Sequence, residues 1–481
     1  MATPTITPPP PIPPQAPPPP APRRRSFAGP VVLISIGVLF LLGNMGVLDK
    51  YTLFSGFAKY WPLLLILWGV IKLVENWNAQ REGYRSSGIG AGGVVLIIFV
   101  IILGSAATGI MRFGPELQGN IDVDGNDVPF FPLFGNKYTF TDNNSAAFPA
   151  GGSIRVVNER GNVKLTASSD DRVHVVTNYV VIARNLSDAN NIRGARVPVF
   201  TNEGSILDLS STGTKGVDNA DKASVNIEVQ VPRKASAEVQ TLRGDVRVIG
   251  RDGDVKLSTS RGDAQVEDVN GKAEVHLRHG DFDARKVSGD LSVEGRVDDC
   301  NVADIGGQVE LRGDYFGSIN VSRVPKPVRF SSSRTNLEIA KLDGDMRMES
   351  GDLRISSMSG PVTLRTRSKD IHFDSLTGDL TLDDSNGEVE VHVSKLPVGN
   401  IDITNRNGQV RLTLPDKGSF SLDAETRNGE VRSDFGEIRT ENVRDTNHAS
   451  GKVGTGGGTI RLRTEHGDIE IRKTSMQPPT P

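Results

Sequence analysis

A nine-residue glycine period constrains the fold of this chain more than any other feature. Glycines stand at positions 244, 253, 262, 271, 280 and 289, and a second run has Gly351, Gly360, Gly378 and Gly387 with Lys369 in the intervening slot. A short, fixed period is typical of stacked architectures in which each unit contacts only its neighbours. The period therefore predicts a solenoid over about residues 236 to 473.

Each unit of the period consists of a turn followed by a strand. Glycine permits positive φ, and the Asp or Asn that often follows it supports a turn. Alternation then predicts which residues point inward: Val246 and Val248 around Arg247, Val255 and Leu257 around Lys256, and Val275 and Leu277 around His276. No unit can bury its apolar stripe alone, whereas coils about 4.8 Å apart can. The predicted fold class is all-β, a single-stranded β-helix (β-solenoid), with an N-terminal transmembrane α-helical region.

If two nine-residue arcs make one coil, residues eighteen apart stack on each other. This stacking predicts a file of Asp245, Asp263 and Asp281 beside a parallel file of Arg243, Arg261 and His279. Stacked like charges repel, and we expect the basic file to offset the acidic one. Residues 152 to 235 have longer strands, so wider coils or a cap are expected there.

Three apolar runs near the N-terminus, at 30 to 48, 60 to 74 and 88 to 110, predict membrane helices. A bilayer core requires about 20 apolar residues. The second run reaches that length only with residues 57 to 59, so a re-entrant helix is the alternative. Basic residues at 23 to 25 precede the first run, and basic residues at 72, 81 and 85 lie between the end of the second run and the third. The positive-inside rule places both of these segments in the cytoplasm. The prediction is a multi-pass protein of the cell inner (cytoplasmic) membrane, with the lipid bilayer as partner and the C-terminal domain extracytoplasmic. Two crossings would instead return that domain to the cytoplasm.

The expected organisation has five parts, and no cleavable signal peptide is expected. They are a Pro-rich disordered tail at 1–29, three transmembrane helices at 30–111, a linker at 112–150, the β-helix domain at 151–475 and a disordered tail at 476–481. The glycines of GIGAGG and Gly104 in the third run suit either helix packing or ordinary spanning sequence.

Charge and cysteine content argue against nucleic acid as a partner and against an intramolecular disulfide. The chain has 55 Lys and Arg against 58 Asp and Glu, interspersed, for a net charge of -3. No global field favours nucleic acid, which we exclude as a partner. The one cysteine, Cys300, cannot form an intramolecular disulfide and is predicted to be a small core residue.

The sequence has no catalytic constellation. The doublets Asp298-Asp299 and Asp383-Asp384 fall among acids of the structural period, and the seven histidines are scattered. Calcium-binding β-rolls use Gly-Gly-x-Gly-x-Asp turns, but these turns mostly have one glycine and one acid. Arg-Gly-Asp triplets at 243 to 245, 261 to 263 and 312 to 314 are attributed to turn composition. We therefore predict no enzyme activity, no cofactor, and no catalytic, cofactor-binding or metal residues.

Two segments carry resemblances to known families. GVLFLLGNMGVL followed by KYWPLLLILWGVIKLVE resembles the membrane region of LiaI/LiaF-type envelope-stress proteins, over about residues 28 to 78. The stretch from SIRVVNERGNVKLTASSDDRVHV to ITNRNGQVRLTLP resembles the bacterial "putative adhesin" domain of β-helical repeats, over about 320 residues. The second resemblance implies a β-helix and brings no catalytic residues.

Two main hypotheses of function follow. The first is a membrane-anchored extracytoplasmic β-helix that acts as a non-enzymatic cell-envelope binding or adhesion module on envelope polymers or surface proteins. The alternative is a regulator or sensor of cell-envelope stress that acts through its membrane helices on a membrane sensor protein. Glycan cleavage is a third class, and it predicts product release from a polysaccharide.

Overall fold

The computed structural model describes residues 50–81, 94, 97–108, 136–212, 223–443 and 446–475. It divides into two compact units: Met1–Asn136 with Ile182–Asn185, and Lys137–Val181 with Leu186–Pro481. The tails predicted at 1–29 and 476–481 and the first apolar run lie outside the described residues.

Two helical segments are described in the N-terminal unit. Helix α1, Lys50–Arg81, contains the whole second apolar run and has Pro62 inside it. Residues 97 to 108, within the third run, are also helical. Over the part of the chain that is described, no helix has both the length and the apolar character of a membrane span. Three crossings therefore remain a prediction.

The two helical segments pack through small residues. The Trp61 ring lies against Gly104, where an added Cβ would come within 2.5 Å of the indole Cγ. The Trp61 Nε1–H donates to the Thr108 hydroxyl (3.2 Å), and that hydroxyl lies 2.9 Å from the Ala58 carbonyl oxygen. Ala58 and Ala107 are buried. Small residues let helices approach closely, so this contact favours the helix-packing interpretation of Gly104.

We predict that Gly104→Leu separates these helices, because the new side chain must occupy the position of the Trp61 ring. Hydrogen exchange of full-length protein in detergent should show faster amide exchange in residues 97 to 108. Gly69→Leu is the matched control, since an added Cβ at Gly69 meets nothing within 4 Å. Equal exchange in both variants would contradict the packing.

The second unit is built almost entirely of strands. Its N-terminal strands are β1 Asn136–Ala147, β2 Ser153–Arg160, β3 Val163–Ala167, β4 Arg172–Ala183, β5 Val199–Glu203, β6 Ile206–Ser210 and β7 Ala223–Val231, with helix α2 Leu186–Gly194 between β4 and β5. The next strands are β8 Ser236–Arg243, β9 Val246–Arg251, β10 Val255–Thr259, β11 Ala264–Val269, β12 Ala273–Leu277, β13 Phe282–Val287, β14 Leu291–Val297, β15 Cys300–Ile305, β16 Val309–Tyr315, β17 Ile319–Val324 and β18 Val328–Ser331.

The remaining strands lead to the C-terminus. They are β19 Asn336–Met348, β20 Asp352–Ile355, β21 Met358–Arg365, β22 Asp370–Thr377, β23 Leu380–Asn386, β24 Val389–Val393, β25 Ile401–Asn407, β26 Val410–Pro415, β27 Phe420–Asn428, β28 Val431–Ser433, β29 Arg439–Val443, β30 Thr446–Val453, β31 Gly458–His466 and β32 Ile469–Thr474.

Two strands make each coil, and the predicted spacing of eighteen residues is confirmed in β8 to β16. Strand β10 pairs in parallel with β8 and β12, so that Val255 lies between Ala237 and Ala273. The predicted inward residues Val246, Val248, Val255, Leu257, Val275 and Leu277 are all buried. Cys300 is fully buried in β15, as predicted. The alternating pattern thus produces one continuous apolar stripe inside the stack.

One strand interrupts the regular winding. Strand β19 pairs antiparallel with β17 and β18 on one side and with β20 and β21 on the other. Two tight turns reverse the chain: the Ser332 N–H donates to the Thr335 carbonyl (2.9 Å), and the Glu349 N–H donates to the Asp352 carbonyl (2.8 Å). This reversal lies between the two runs of the glycine period.

The two ends of the stack are capped. At the N-terminal end, β4 pairs antiparallel with β7, β5 pairs with β6, and β1 pairs with β4, so the cap expected in 152 to 235 is present. Strand β1 falls inside the region predicted to be linker. At the C-terminal end, β31 lies between β25 and β27, and β30 and β29 close the stack beyond β27.

One corner of the coils is made by residues in the left-handed conformation. Asp268, Lys286, Asp304 and Arg323 have φ between 52° and 58°. Each such residue costs roughly 1–2 kcal/mol relative to ordinary backbone. Charges of alternating sign along this file reduce the repulsion that stacking brings, and Arg323 forms a two-point ion pair with Asp304 (2.5 and 2.9 Å).

The glycine period reflects close contact between coils at both corners, since an added Cβ at Gly271 would lie 2.7 Å from the Gly253 carbonyl carbon. The corner opposite the left-handed residues, which carries Gly244, Gly262 and Gly280, is called the glycine corner. Gly262 has φ +131°, and an added Cβ would lie 2.5 Å from the Gly244 carbonyl carbon of the previous coil. A side chain there must strain the turn and separate the coils.

We therefore expect Gly262→Ala to lower the free energy of unfolding by on the order of 3 kcal/mol. Gly351→Ala is the control, because an added Cβ at Gly351 meets nothing within 4 Å. Thermal unfolding of the two full-length variants in detergent should separate them clearly. If the Gly262 variant were as stable as the wild type, close contact would not explain the period.

Candidate binding surface of the solenoid

The predicted acidic file exists, and it is a ladder of hydrogen bonds to the backbone. The Asp263 N–H donates to Asp245 Oδ1 (2.9 Å), and the Asp281 N–H donates to Asp263 Oδ1 (2.8 Å). The Asp299 N–H donates to Asp281 Oδ1 in the same way (3.0 Å). Each carboxylate therefore accepts a charge-assisted hydrogen bond from the next coil.

The expected role of the basic file was wrong. Arg243, Arg261 and His279 form no ion pair with the aspartates within the described part of the chain. Burial raises the pKa of Asp263 and the other carboxylates of the corner add to it, while the Asp281 N–H acts in the opposite direction. Backbone N–H groups, rather than the basic file, stabilise the stacked carboxylates.

The basic file instead lines an open groove of about 560 Å³. We call it the arginine groove, and its lining residues are Leu242, Arg243, Ser260, Arg261, Leu277, Arg278, His279, Gly295 and Arg296. Five of these residues are basic, and four of the five are exposed. Among the described residues, none of the five basic side chains has an ion-pair partner. The groove is thus a concentration of uncompensated positive charge.

A second, smaller depression of about 260 Å³ provides a contrast. Its lining residues are Arg347, Glu349, Asp352 and Arg354. Arg347 pairs with Glu349 (2.6 Å), and Arg354 pairs with Asp352 (3.2 Å). The charges of this depression compensate each other, so an anionic ligand gains less there than in the arginine groove.

The arginine groove lies on four successive coils. Arg296 stacks on Asp314 in the following coil. At the other end Arg243 stacks on Arg160 of strand β2. The five basic residues of the groove therefore lie on the four coils that carry residues 243, 261, 279 and 296.

The residues considered in the sequence do not form one site. Asp298 and Asp299 lie in a turn, and Asp299 accepts hydrogen bonds from the Ser318 N–H (2.7 Å) and hydroxyl (2.9 Å). The triplet at 312 to 314 lies within strand β16 rather than in a turn, which corrects the attribution to turn composition. Of the histidines, His174, His276, His372 and His448 each pair with one carboxylate. No group of three or more metal-ligating side chains converges within the described ranges.

Asp384 was wrongly grouped with the turn and surface acids. It lies in strand β23 and is only 2% exposed, whereas Asp383 is exposed and pairs with Arg365 (3.5 Å). Burial raises the pKa of Asp384 to about 6. The N–H groups of Ser385 and Asn386 act in the opposite direction, but neither makes a hydrogen bond of good geometry to the carboxylate.

The position of Asp384 explains why its ionised form is unfavourable. It stacks on Asn405, whose side-chain amide donates to the Gly387 carbonyl of the coil below (2.8 Å). The equivalent carbonyl beneath Asp384 belongs to Lys369, because Gly387 stacks directly on Lys369. An ionised carboxylate cannot donate a hydrogen bond to a carbonyl, whereas an amide or a protonated acid can.

We expect Asp384→Asn to stabilise the protein at pH 7, by on the order of 2 kcal/mol. The pKa of the folded state, about 6, exceeds the ordinary value of 3.8, so wild-type stability should fall as pH rises from about 4 to 6. Thermal unfolding across this range should show that dependence reduced in the variant. Asp383→Asn is the matched control and should retain it; an unchanged pH profile in Asp384→Asn would contradict the burial argument.

Comparisons with known proteins agree with this architecture. The family model for Toastrack DUF4097 matches residues 153–472, which is most of the chain. The chain belongs to the Toastrack DUF4097 family. A second model, for the LiaF transmembrane domain, matches residues 28–119. The Toastrack domain is therefore preceded by a membrane-associated domain, and the pair fits a membrane-associated module for binding or sensing.

The solved structures that match this chain have low sequence identity to it and low TM-scores. An adhesin from Parabacteroides distasonis, called putative in its description, is 11% identical, covers 71% of this chain and 98% of its own, and has a TM-score of 0.22. A similarly described adhesin from Bacteroides fragilis is 13% identical, covers 70% of this chain and 97% of its own, and has a TM-score of 0.19. A protein from P. distasonis described as lipid binding is 9% identical, covers 69% of this chain and 96% of its own, and has a TM-score of 0.18. No curated protein matches the chain.

Proposed function

We propose that this protein is a multi-pass protein of the cytoplasmic membrane whose Toastrack solenoid lies outside the cytoplasm. The solenoid acts there as a non-enzymatic binding or adhesion module for a component of the cell envelope. The arginine groove carries this proposal, because it is a surface of uncompensated charge on a rigid scaffold. A ligand that supplies the missing negative charge would bind without any rearrangement of the strands.

The location of the solenoid is supported by two features of the N-terminal region. The match to the LiaF transmembrane domain covers all three apolar runs, and the basic residues cluster before the first run and after the second. By the positive-inside rule these clusters face the cytoplasm. Three crossings then place everything after residue 110 on the opposite side.

We predict that a thiol introduced by Lys417→Cys reacts with a membrane-impermeant maleimide in intact cells. Lys417 is exposed in the loop between β26 and β27. The wild type is the matched control, because Cys300 is fully buried and burial raises the pKa of its thiol, so it should remain unlabelled. Labelling only after lysis of the cytoplasmic membrane would place the solenoid in the cytoplasm and overturn the proposal.

Regulation of an envelope-stress response is the second candidate function. The observation that favours it is the LiaF transmembrane domain, together with the helix contact between Trp61 and Gly104. In this case the helices contact a membrane sensor protein, and the solenoid responds to the state of the envelope. Replacing residues 28–119 with unrelated membrane helices would abolish the stress response but leave envelope binding intact. Deleting the solenoid would abolish envelope binding.

A further inference from the structure

The basic residues of the arginine groove are arranged in a line. Arg243, Arg261 and His279 occupy equivalent positions on successive coils, since the Gly244 N–H donates to the Arg261 carbonyl (2.8 Å) and the Gly262 N–H donates to the His279 carbonyl (3.1 Å). Strands in such a stack are about 4.8 Å apart. Basic side chains therefore recur at a regular interval along the stacking axis, which suits an extended anion better than a compact one.

A neighbouring file widens the positive surface. Arg278 and Arg296 are one coil apart, since Leu277 and Gly295, the residues just before them, are register partners. Arg278 immediately precedes His279 of the first file. None of these arginines has an ion-pair partner in the described part of the chain. The guanidinium groups are therefore available to a ligand, and their planar fork matches a carboxylate in two-point contact.

The uncharged residues of the groove indicate the rest of the ligand. Leu242 is 55% exposed and offers an apolar patch beside the arginines. Ser260 supplies a hydroxyl group. Sugar rings present both apolar faces and hydroxyl groups. Nucleic acid is disfavoured because none of the lining residues is Phe, Tyr or Trp, the large aromatic side chains on which the bases of single strands stack.

We propose that the arginine groove binds an acidic polysaccharide with carboxylates on successive sugar rings, laid along the stacking axis of the coils. This inference rests on the proposed function and narrows its ligand. The lining residues span four coils and Asp314 follows Arg296 in the next coil, so the bound segment has the length of four coils. The polymer beyond that segment leaves the surface.

The test uses the full-length chain in nanodiscs of neutral phosphatidylcholine, with polygalacturonate as the probe and its fully methyl-esterified form as the uncharged control. We expect binding of the acidic form only, weakening as salt screens the charges. Arg261→Gln combined with Arg296→Gln should reduce the affinity about tenfold, as expected for the loss of two exposed charge contacts. Arg347→Gln combined with Arg354→Gln is the matched control, because it removes the same charge from arginines that are already paired.

Four outcomes would overturn the inference. They are equal loss in the two double variants, equal binding of the esterified polymer, binding of inorganic polyphosphate without polygalacturonate, and binding of phosphatidylglycerol vesicles without polygalacturonate. Unchanged thermal unfolding of both double variants excludes misfolding as the cause of any loss. Binding to isolated cell-envelope material separates the two proposals. If that binding persists while polygalacturonate fails, only the ligand class is wrong; if the solenoid binds neither, the proposed function fails as well.

Discussion

The approach of one coil to the next at the glycine corner determines the rest of the solenoid. At this corner the N–H of one glycine donates to the carbonyl before the glycine of the next coil, and the backbones lie too close for a Cβ. Glycine is therefore required at a fixed interval, and in β8 to β16 the interval fixes the register at eighteen residues. Once the register is fixed, every side chain lies above a predictable partner. The apolar stripe and the charged files both follow from this one contact.

Stacking brings like charges on successive coils close together, and their repulsion is reduced in different ways at different corners. At the left-handed corner Asp268, Lys286, Asp304 and Arg323 alternate in sign, so neighbours attract. At the glycine corner the acids have one sign and are stabilised by backbone N–H groups. The arginine groove uses neither solution, since its cations have no ion-pair partner within the described part of the chain. The proposed binding role of the groove rests on that difference.

The sequence was sufficient for the parts of the fold that depend on local pattern. The glycine period and the alternation of apolar residues predicted the strands, the inward side chains and the spacing of a coil. The reversal at β19 and the insertion of β31 between β25 and β27 were not predictable in this way. Both depend on pairing between distant segments, where Ile401 lies beside Ile460, and the nine-residue period carries no information about such partners. The loss of the glycine period between residues 307 and 351 was the available signal for the first of them.

At the candidate site, too, local pattern was predictable from the sequence and contacts between distant segments were not. The files of charge were predicted correctly, but their partners were not, because sequence spacing places side chains in line without showing which backbone groups they meet. The prediction for Asp384 was wrong for a related reason. Two adjacent acids are typical of a turn, and the sequence alone does not show that one of them is buried. Its register neighbours carried the missing information: Asn405 and Thr464 occupy the same file and donate hydrogen bonds to turn carbonyls. Asp384 is thus a carboxylate in a file of hydrogen-bond donors, and Lys369 stands where the period expects a glycine. This local departure from the repeat is visible only once the register of the strands is known.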